Sequence, residues 1–181
     1  QLMTARAAAV VTAVGPFTLY GEPLVAACVA TQTHYADTTG EVTWVLDMLE
    51  QYGEAAACKG VKLVSCCGMD CIPSDLGTLV AMEGLPVPAV KVDINMQTIN
   101  MLPSGGTMAS AAQVGKEMVA RGVTSVPYLL TPDAPESLRV DQAVSAKAQQ
   151  GFGWSEEFNR YTLPWPMALV DNRIVRRSLV L

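Results

Sequence analysis

The chain is short of the residues that most directly betray a chemistry. Its 181 residues hold one histidine, three phenylalanines and three tryptophans, and only 16% of them are charged. The lone imidazole, His34, stands at the start of a candidate strand, away from the turns where the other polar motifs gather. That position favours a packing or surface role over a general acid. Basic residues are scarce as well: 12 Lys and Arg against 17 Asp and Glu give a net charge of -5. Nucleic acid is thereby excluded as the main partner, since neutralising phosphates takes a basic face. The only dense basic cluster, Arg173, Arg176 and Arg177, fits one phosphate or carboxylate group, or a solvated face with local ion pairs. No apolar run reaches the roughly 18 to 20 residues of a membrane-spanning helix, and no segment has the pattern of a secretory signal. Five cysteines, an odd number without such a signal, point to a reducing, intracellular setting. Cys66, Cys67 and Cys71 lack the paired C-x-x-C spacing of structural zinc, so no metal is expected. They read as buried small side chains, with a redox-sensitive thiol as the alternative.

What the sequence does have is apolar mass, half of its residues, enough to bury a core for one large or two small domains. Ala7 to Val14 is an unbroken apolar run of the kind carried by a parallel strand covered on both faces. It leads into Val14-Gly15-Pro16-Phe17-Thr18-Leu19-Tyr20-Gly21-Glu22-Pro23. Glycine there permits close backbone approach, proline fixes the exit direction, and Pro23 suits the first turn of a helix over 24–33. The pattern repeats twice. A short strand at 34–37 ends in Asp37, and a helix from about Val42 to Lys59 stops at Gly60. A strand at 61–66 then runs into Gly68-Met69-Asp70-Cys71-Ile72-Pro73-Ser74-Asp75, and a helix follows from about Ser74 to Glu83. Strands and helices alternating with short links predict an α/β fold with a parallel sheet and right-handed crossovers, its three polar turns lining one crevice at the carboxyl edge. Leu85-Pro86-Val87-Pro88 marks a boundary between a domain at 1–84 and a smaller α+β domain at 85–181. Beyond it, the period-two alternation of 90–98 predicts a strand. Residues 107–121 and 136–150 predict helices, and 154–167 reads as irregular.

Five segments occur in order: V-G-P-F-x-x-Y-G-E-P-L-V (14–25), Y-A-D-x-x-G-E (35–41), G-x-D-x-I-P-S-D-L-G (68–77), S-G-G-T (104–107) and N-R-I-V-R-R-S (172–178). Together they resemble the saccharopine dehydrogenase-like oxidoreductases, a group that includes the trans-acting enoyl reductases, over nearly the whole chain. The resemblance implies a Rossmann-like dinucleotide-binding domain followed by a smaller α+β domain for substrate and dimer contacts. It further implies NADP or NAD as cofactor, a lipid-like or unsaturated acyl substrate, a homo-oligomer, and association with lipid droplets, mitochondria or membranes. Such proteins open with a strand and a glycine-rich turn that carries the pyrophosphate on a helix N-terminus. No such turn precedes Val14, and the chain starts at Gln1, so it is expected to be a fragment holding the C-terminal half of the Rossmann-like sheet. In the strand order 3-2-1-4-5-6 the run at 7–14 is the fourth strand, with a bare apolar edge where the first belongs.

On that resemblance the cofactor-binding candidates are Val14, Gly15, Pro16, Phe17, Tyr20 and Gly21. Gly15 and Pro16 would lie against the nicotinamide ribose and pyrophosphate, with Phe17 and Tyr20 as apolar walls. Asp37 and Glu41 either orient the ribose or substrate or cap backbone N–H groups. Asp70 is the catalytic candidate, and Asp75 suits the dipole of the helix it opens. Met96, Met101, Met108 and Met118 read as core filling or as a lipid-facing wall. Hydride transfer needs no nucleophilic side chain, because the cofactor carries the chemistry. The alternative function is a non-catalytic, lipid-associated interaction protein that retains the fold.

Overall fold

Of the apolar run that follows Arg6, Ala9–Thr12 forms the first strand, β1. The chain then turns at Gly15 and Pro16 into the short helix α1 (Phe17–Tyr20) and the longer α2 (Glu22–Thr31), with Pro23 in its first turn. Gln32, in the left-handed region at φ 57°, ends α2. Strand β2 (His34–Asp37) follows, then α3 (Val42–Cys58), and the turn after it closes on Gly60 at φ +66°. After β3 (Leu63–Val64) comes α4 (Ile72–Glu83), again with proline in the first turn, then α5 (Gly105–Ala120). Strands β4 (Gly153–Ser155) and β5 (Arg160–Thr162) and helix α6 (Ala168–Ser178) complete the order. This computed structural model describes residues 3–87, 89, 92–96, 105–124, 126–136 and 151–181.

β1, β2 and β3 form a parallel sheet in that spatial order. Its register sets Val10, Tyr35 and Leu63 in one row and Val11, Ala36 and Val64 in the next. Because side chains alternate along a strand, the two rows lie on opposite faces. The first row joins the core: Tyr35 is buried among Val25 and Cys28 of α2 and Val42, Val45 and Met48 of α3, with Val10 and Leu63 packed against it. Each aliphatic side chain fully buried there contributes about 1.5–3 kcal/mol. The second row is open, with Val11 74% and Val64 49% exposed. The expectation of a strand covered on both faces therefore holds on one face of this sheet only.

The sequence misjudged several elements. The strand expected at 61–66 stops after Val64, because the next backbone donors leave the ladder for Asp37: Cys66 N–H goes to its carboxylate and Cys67 N–H to its carbonyl, with Cys66 at φ 64°. Residues 92–96 of the expected strand at 90–98 form no regular structure, and Val92 and Ile94 are exposed; among the described residues they have no ladder partner, and alternation alone cannot hold a strand. The helix expected at 136–150 lies, but for Glu136, outside the described residues. The stretch read as irregular contains the antiparallel hairpin β4–β5, on which Phe152 stacks on Tyr161 and Trp154 meets the same ring edge-on, each at 5.2 Å. α6 was not foreseen, because its arginines read as a charge cluster rather than as part of an amphipathic helix.

Candidate functional site at the carboxyl edge of the sheet

Three turns leave the carboxyl ends of β1, β2 and β3, and buried polar side chains lace them together. The extended chain after β2 alternates, so Asp37, Thr39 and Glu41 all point inward, none more than 1% exposed. Asp37 ties its own turn to that of β3: Oδ1 accepts from Thr39 N–H (2.9 Å) and Cys66 N–H (3.0 Å), and Oδ2 from the Ser65 hydroxyl (3.0 Å). Burial pushes this carboxyl above the usual aspartate range, and the Thr39 and Cys66 N–H groups oppose that shift. Thr39 Oγ1 in turn accepts from Glu41 N–H at 3.0 Å.

Glu41 crosses to the first turn. Its Oε1 accepts from Phe17 N–H (2.8 Å), and its Oε2 from Thr18 N–H (2.8 Å) and the Thr18 hydroxyl (2.5 Å). The first N–H groups of a helix have no partner within it, and a carboxylate there satisfies them. The consequence for binding is direct: the Phe17 and Thr18 N–H groups that a phosphate would use are taken, by a charge that would repel another anion.

The six cofactor candidates divide by exposure. Val14 and Tyr20 are 70% and 62% exposed and line an apolar groove of about 370 Å³ along β1, with Val10, Val11 and Leu24. Phe17 is buried, tilted against Trp44 at 5.4 Å, and forms the floor of that groove instead of a free wall. A Cβ at Gly21 would fall 2.5 Å from Trp44 Cζ2 and 2.9 Å from the Phe17 carbonyl, so this glycine is required by helix packing. At Gly15 a Cβ would meet Ser110 Oγ of α5 at 3.1 Å and the Phe17 ring at 3.3 Å. Pro16, extended at ψ 128°, precedes α1.

In the third turn, a Cβ at Gly68 would lie 2.3 Å from Asp70 Oδ1 and 3.5 Å from the Thr38 carbonyl. Glycine thus lets the half-exposed Asp70 fold back over the turn. Behind it, α6 docks on α4. Asp171 Oδ2 accepts from Trp165 Nε1 (2.7 Å) and the Ser74 hydroxyl (3.2 Å), while Oδ1 is buried without a hydrogen-bond partner among the described residues. Burial raises this carboxyl above the usual range. Ser178 donates to Asp75 Oδ2 at 3.0 Å, so Asp75 joins the same contact.

The basic cluster does something the sequence did not suggest. Arg173 is 4% exposed, and its guanidinium donates to the carbonyls of Val123, Thr124, Val126 and Leu169. Arg177 donates to Leu130 carbonyl at 2.6 Å, and Arg176 lies over the Tyr128 ring. Two of the three arginines therefore hold backbone carbonyls, Arg173 those of Val123, Thr124, Val126 and Leu169 and Arg177 that of Leu130, and Arg173 is buried. His34 is exposed, its Nδ1 accepting from Lys62 N–H at 3.1 Å. Of the methionines, Met118 is buried and Met108 exposed; Met101 lies outside the described residues. Among the described residues no group of His, Cys, Asp and Glu could hold a metal ion, and no helix is long and apolar enough to cross a membrane. The sequence suggested no role for Thr39, Ser74, Trp165 or Asp171 in this network. The alternation D-T-T-G-E was the one readable signal for Thr39.

The chain is 36% identical over 187 residues to a Mycobacterium tuberculosis protein provisionally named as a trans-acting enoyl reductase. It is 33% identical over 196 residues to the trans-acting enoyl reductase of Mycobacterium bovis, and 30% over 188 residues to that of Mycobacterium leprae. The chain resembles trans-acting enoyl reductases. Each alignment takes in 98% of this chain and 45% of the relative, so the chain spans about half the length of the curated relatives it matches. No family model matches the sequence, and no solved structure does.

Proposed function

We propose that residues 1–181 form part of an NAD(P)H-dependent oxidoreductase of the enoyl reductase type, allied to the saccharopine dehydrogenase-like proteins, acting on an unsaturated acyl substrate. The observation that supports this most is the first turn: an exposed apolar surface, Val14 and Tyr20, at the carboxyl end of an edge strand, where open α/β sheets place their ligands. That surface suits the uncharged nicotinamide end of a dinucleotide. It does not suit the pyrophosphate, whose natural donors at Phe17 and Thr18 are held by Glu41.

When bound, the reduced nicotinamide supplies a hydride. The roles left to this chain are to exclude water with Val14 and Tyr20, to hold the turn rigid through Glu41, and to handle the proton that accompanies the hydride. Asp70 is assigned to that last task, because it is the half-exposed carboxyl at the same edge. The test uses a polypeptide carrying these residues at the length of the relatives, with NADPH and an enoyl thioester, following loss of NADPH fluorescence. Turnover is expected, and Asp70→Asn should lower kcat at least tenfold while NADPH affinity stays within twofold. No turnover with any enoyl thioester that binds would sink the reading; an unchanged kcat would remove Asp70 from it.

A further inference from the structure

The hairpin β4–β5 wears its pattern inside out. Gly153, Ser155 and Thr162 are half-buried, while Phe152, Trp154 and Tyr161 are 74%, 52% and 64% exposed. Trp154 and Tyr161 stand directly opposite each other in the register, so they share a face. Aromatic pairs across two strands stabilise a hairpin, which accounts for the contacts between these rings. It does not account for leaving their outer surfaces in water, since burial is the larger part of what an aromatic side chain contributes.

The size and chemistry of this face say what fits it. At those exposures the three aromatic side chains present roughly 300–500 Å², the size of a functional patch on a monomer and well short of the ~800 Å² per partner of a stable protein–protein interface. The occupant is therefore a short segment and not a folded domain. The Trp154 and Tyr161 rings meet at 77°, and two planes at that angle bound a recess that suits a flat, rigid ring such as that of proline. The Trp154 indole N–H and the Tyr161 hydroxyl have no hydrogen-bond partner among the described residues. They can donate to the carbonyls of a polyproline II chain, whose backbone makes no hydrogen bonds of its own, and proline brings no N–H that would need an acceptor. Charge narrows the choice further. Glu156 and Glu157 are exposed in the turn between the two strands, which favours a basic residue beside the prolines and opposes an anionic membrane surface. We propose that the Trp154–Tyr161 face docks a proline-rich segment of a partner in the polyproline II conformation, flanked by a basic residue. Such a segment is already extended before it binds and loses little entropy, as a contact this small requires.

The probe is a fluorescein-labelled peptide carrying Pro-Pro-Leu-Pro-Pro between two arginines, titrated into residues 1–181 by anisotropy, with the indole N–H resonances of the three tryptophans followed by NMR. Saturable binding with a Kd below about 1 mM, moving the Trp154 indole resonance and leaving those of Trp44 and Trp165 in place, is the expected result. The same peptide with alanines for prolines should bind at least tenfold more weakly, and with glutamates for arginines at least threefold more weakly. Tyr161→Phe keeps the ring and loses only the hydroxyl, so it should weaken the peptide at least threefold while leaving the melting temperature within a degree or two. Glu156→Lys should erase the preference for arginine. The proposal is overturned if the peptide does not saturate, if the alanine peptide matches it, or if the Trp154 resonance stays in place. It is equally overturned if phosphatidylcholine vesicles, and not the peptide, engage Trp154, or if two copies of the chain already cover both rings.

Discussion

At the scale of single residues, the two glycines of the first turn answer to different neighbours, which gives an order of cost. At Gly21 an added Cβ meets Trp44 and the Phe17 carbonyl at under 3 Å, and neither can yield, since Trp44 is 3% exposed and the other contact is backbone. At Gly15 the near atoms are a serine hydroxyl, which can rotate, and the edge of Phe17. Gly21→Ala should therefore destabilise by about 1–3 kcal/mol, as overpacking does, and Gly15→Ala by less. Urea denaturation measures both, and the reverse order would contradict this account of the turn. Glu41 carries the turn electrostatically. Glu41→Gln replaces one accepting oxygen with a donor facing N–H groups, and should cost about 1.5–3 kcal/mol, with the Phe17 and Thr18 amides the first to exchange. A melting curve unchanged by Glu41→Gln would show that the carboxylate is incidental. The sequence admitted capping as one reading of Asp37 and Glu41, and the geometry gives the partners. It could not reveal that Glu41 caps a helix 24 positions earlier, because that contact exists only once β1 and β2 are paired.

At the scale of elements, what was legible is what local patterning controls. β2 and α3 fall within a residue of their expected bounds because an acid-terminated strand and a helical apolar stripe ending in glycine are written locally. The length of β3, the absence of a strand at 92–96 and the docking of α6 depend on partners far along the chain. The docking of α6 on α4 can be tested by pH. Burial raises Asp171 above the ordinary aspartate pKa, so the folded state holds its proton where the unfolded state has released it. The stability this contributes is fully present below the unfolded pKa and is lost as pH rises through the folded one. Asp171→Asn removes that slope, while an amide oxygen can still accept from Ser74 and Trp165. Between about pH 4 and pH 7 the stability of the variant relative to the parent should therefore rise. Parallel curves in urea unfolding across that range would show that Asp171 is not the group responsible.

At the scale of the whole molecule, the described sheet presents one covered face and one open face. Helices α2 and α3 close the core over Tyr35 on one side, while Val11 and Val64 stand exposed on the other and Val14, Leu19 and Tyr20 stand exposed around the first turn. The same asymmetry governs what the chain can hold by itself. Apolar contact to the nicotinamide end is available at Val14 and Tyr20, but the described residues offer no set of free N–H groups for a pyrophosphate at this turn, since Glu41 holds those of Phe17 and Thr18. Charge reinforces the point, because the net charge is -5 and Arg173 and Arg177 are committed to backbone carbonyls. Residues 1–181 alone should therefore bind NADPH no better than about millimolar, the roughly 4 kcal/mol that a small apolar contact can supply. Reduced nicotinamide mononucleotide, which lacks the adenosine half and the pyrophosphate, should bind within about threefold of NADPH, because the part it lacks finds nothing to hold it. Fluorescence titration of both compounds against the same preparation decides this. Micromolar binding of NADPH, with the mononucleotide far weaker, would mean that this chain carries a phosphate site of its own and that Glu41 does not close the turn to anions.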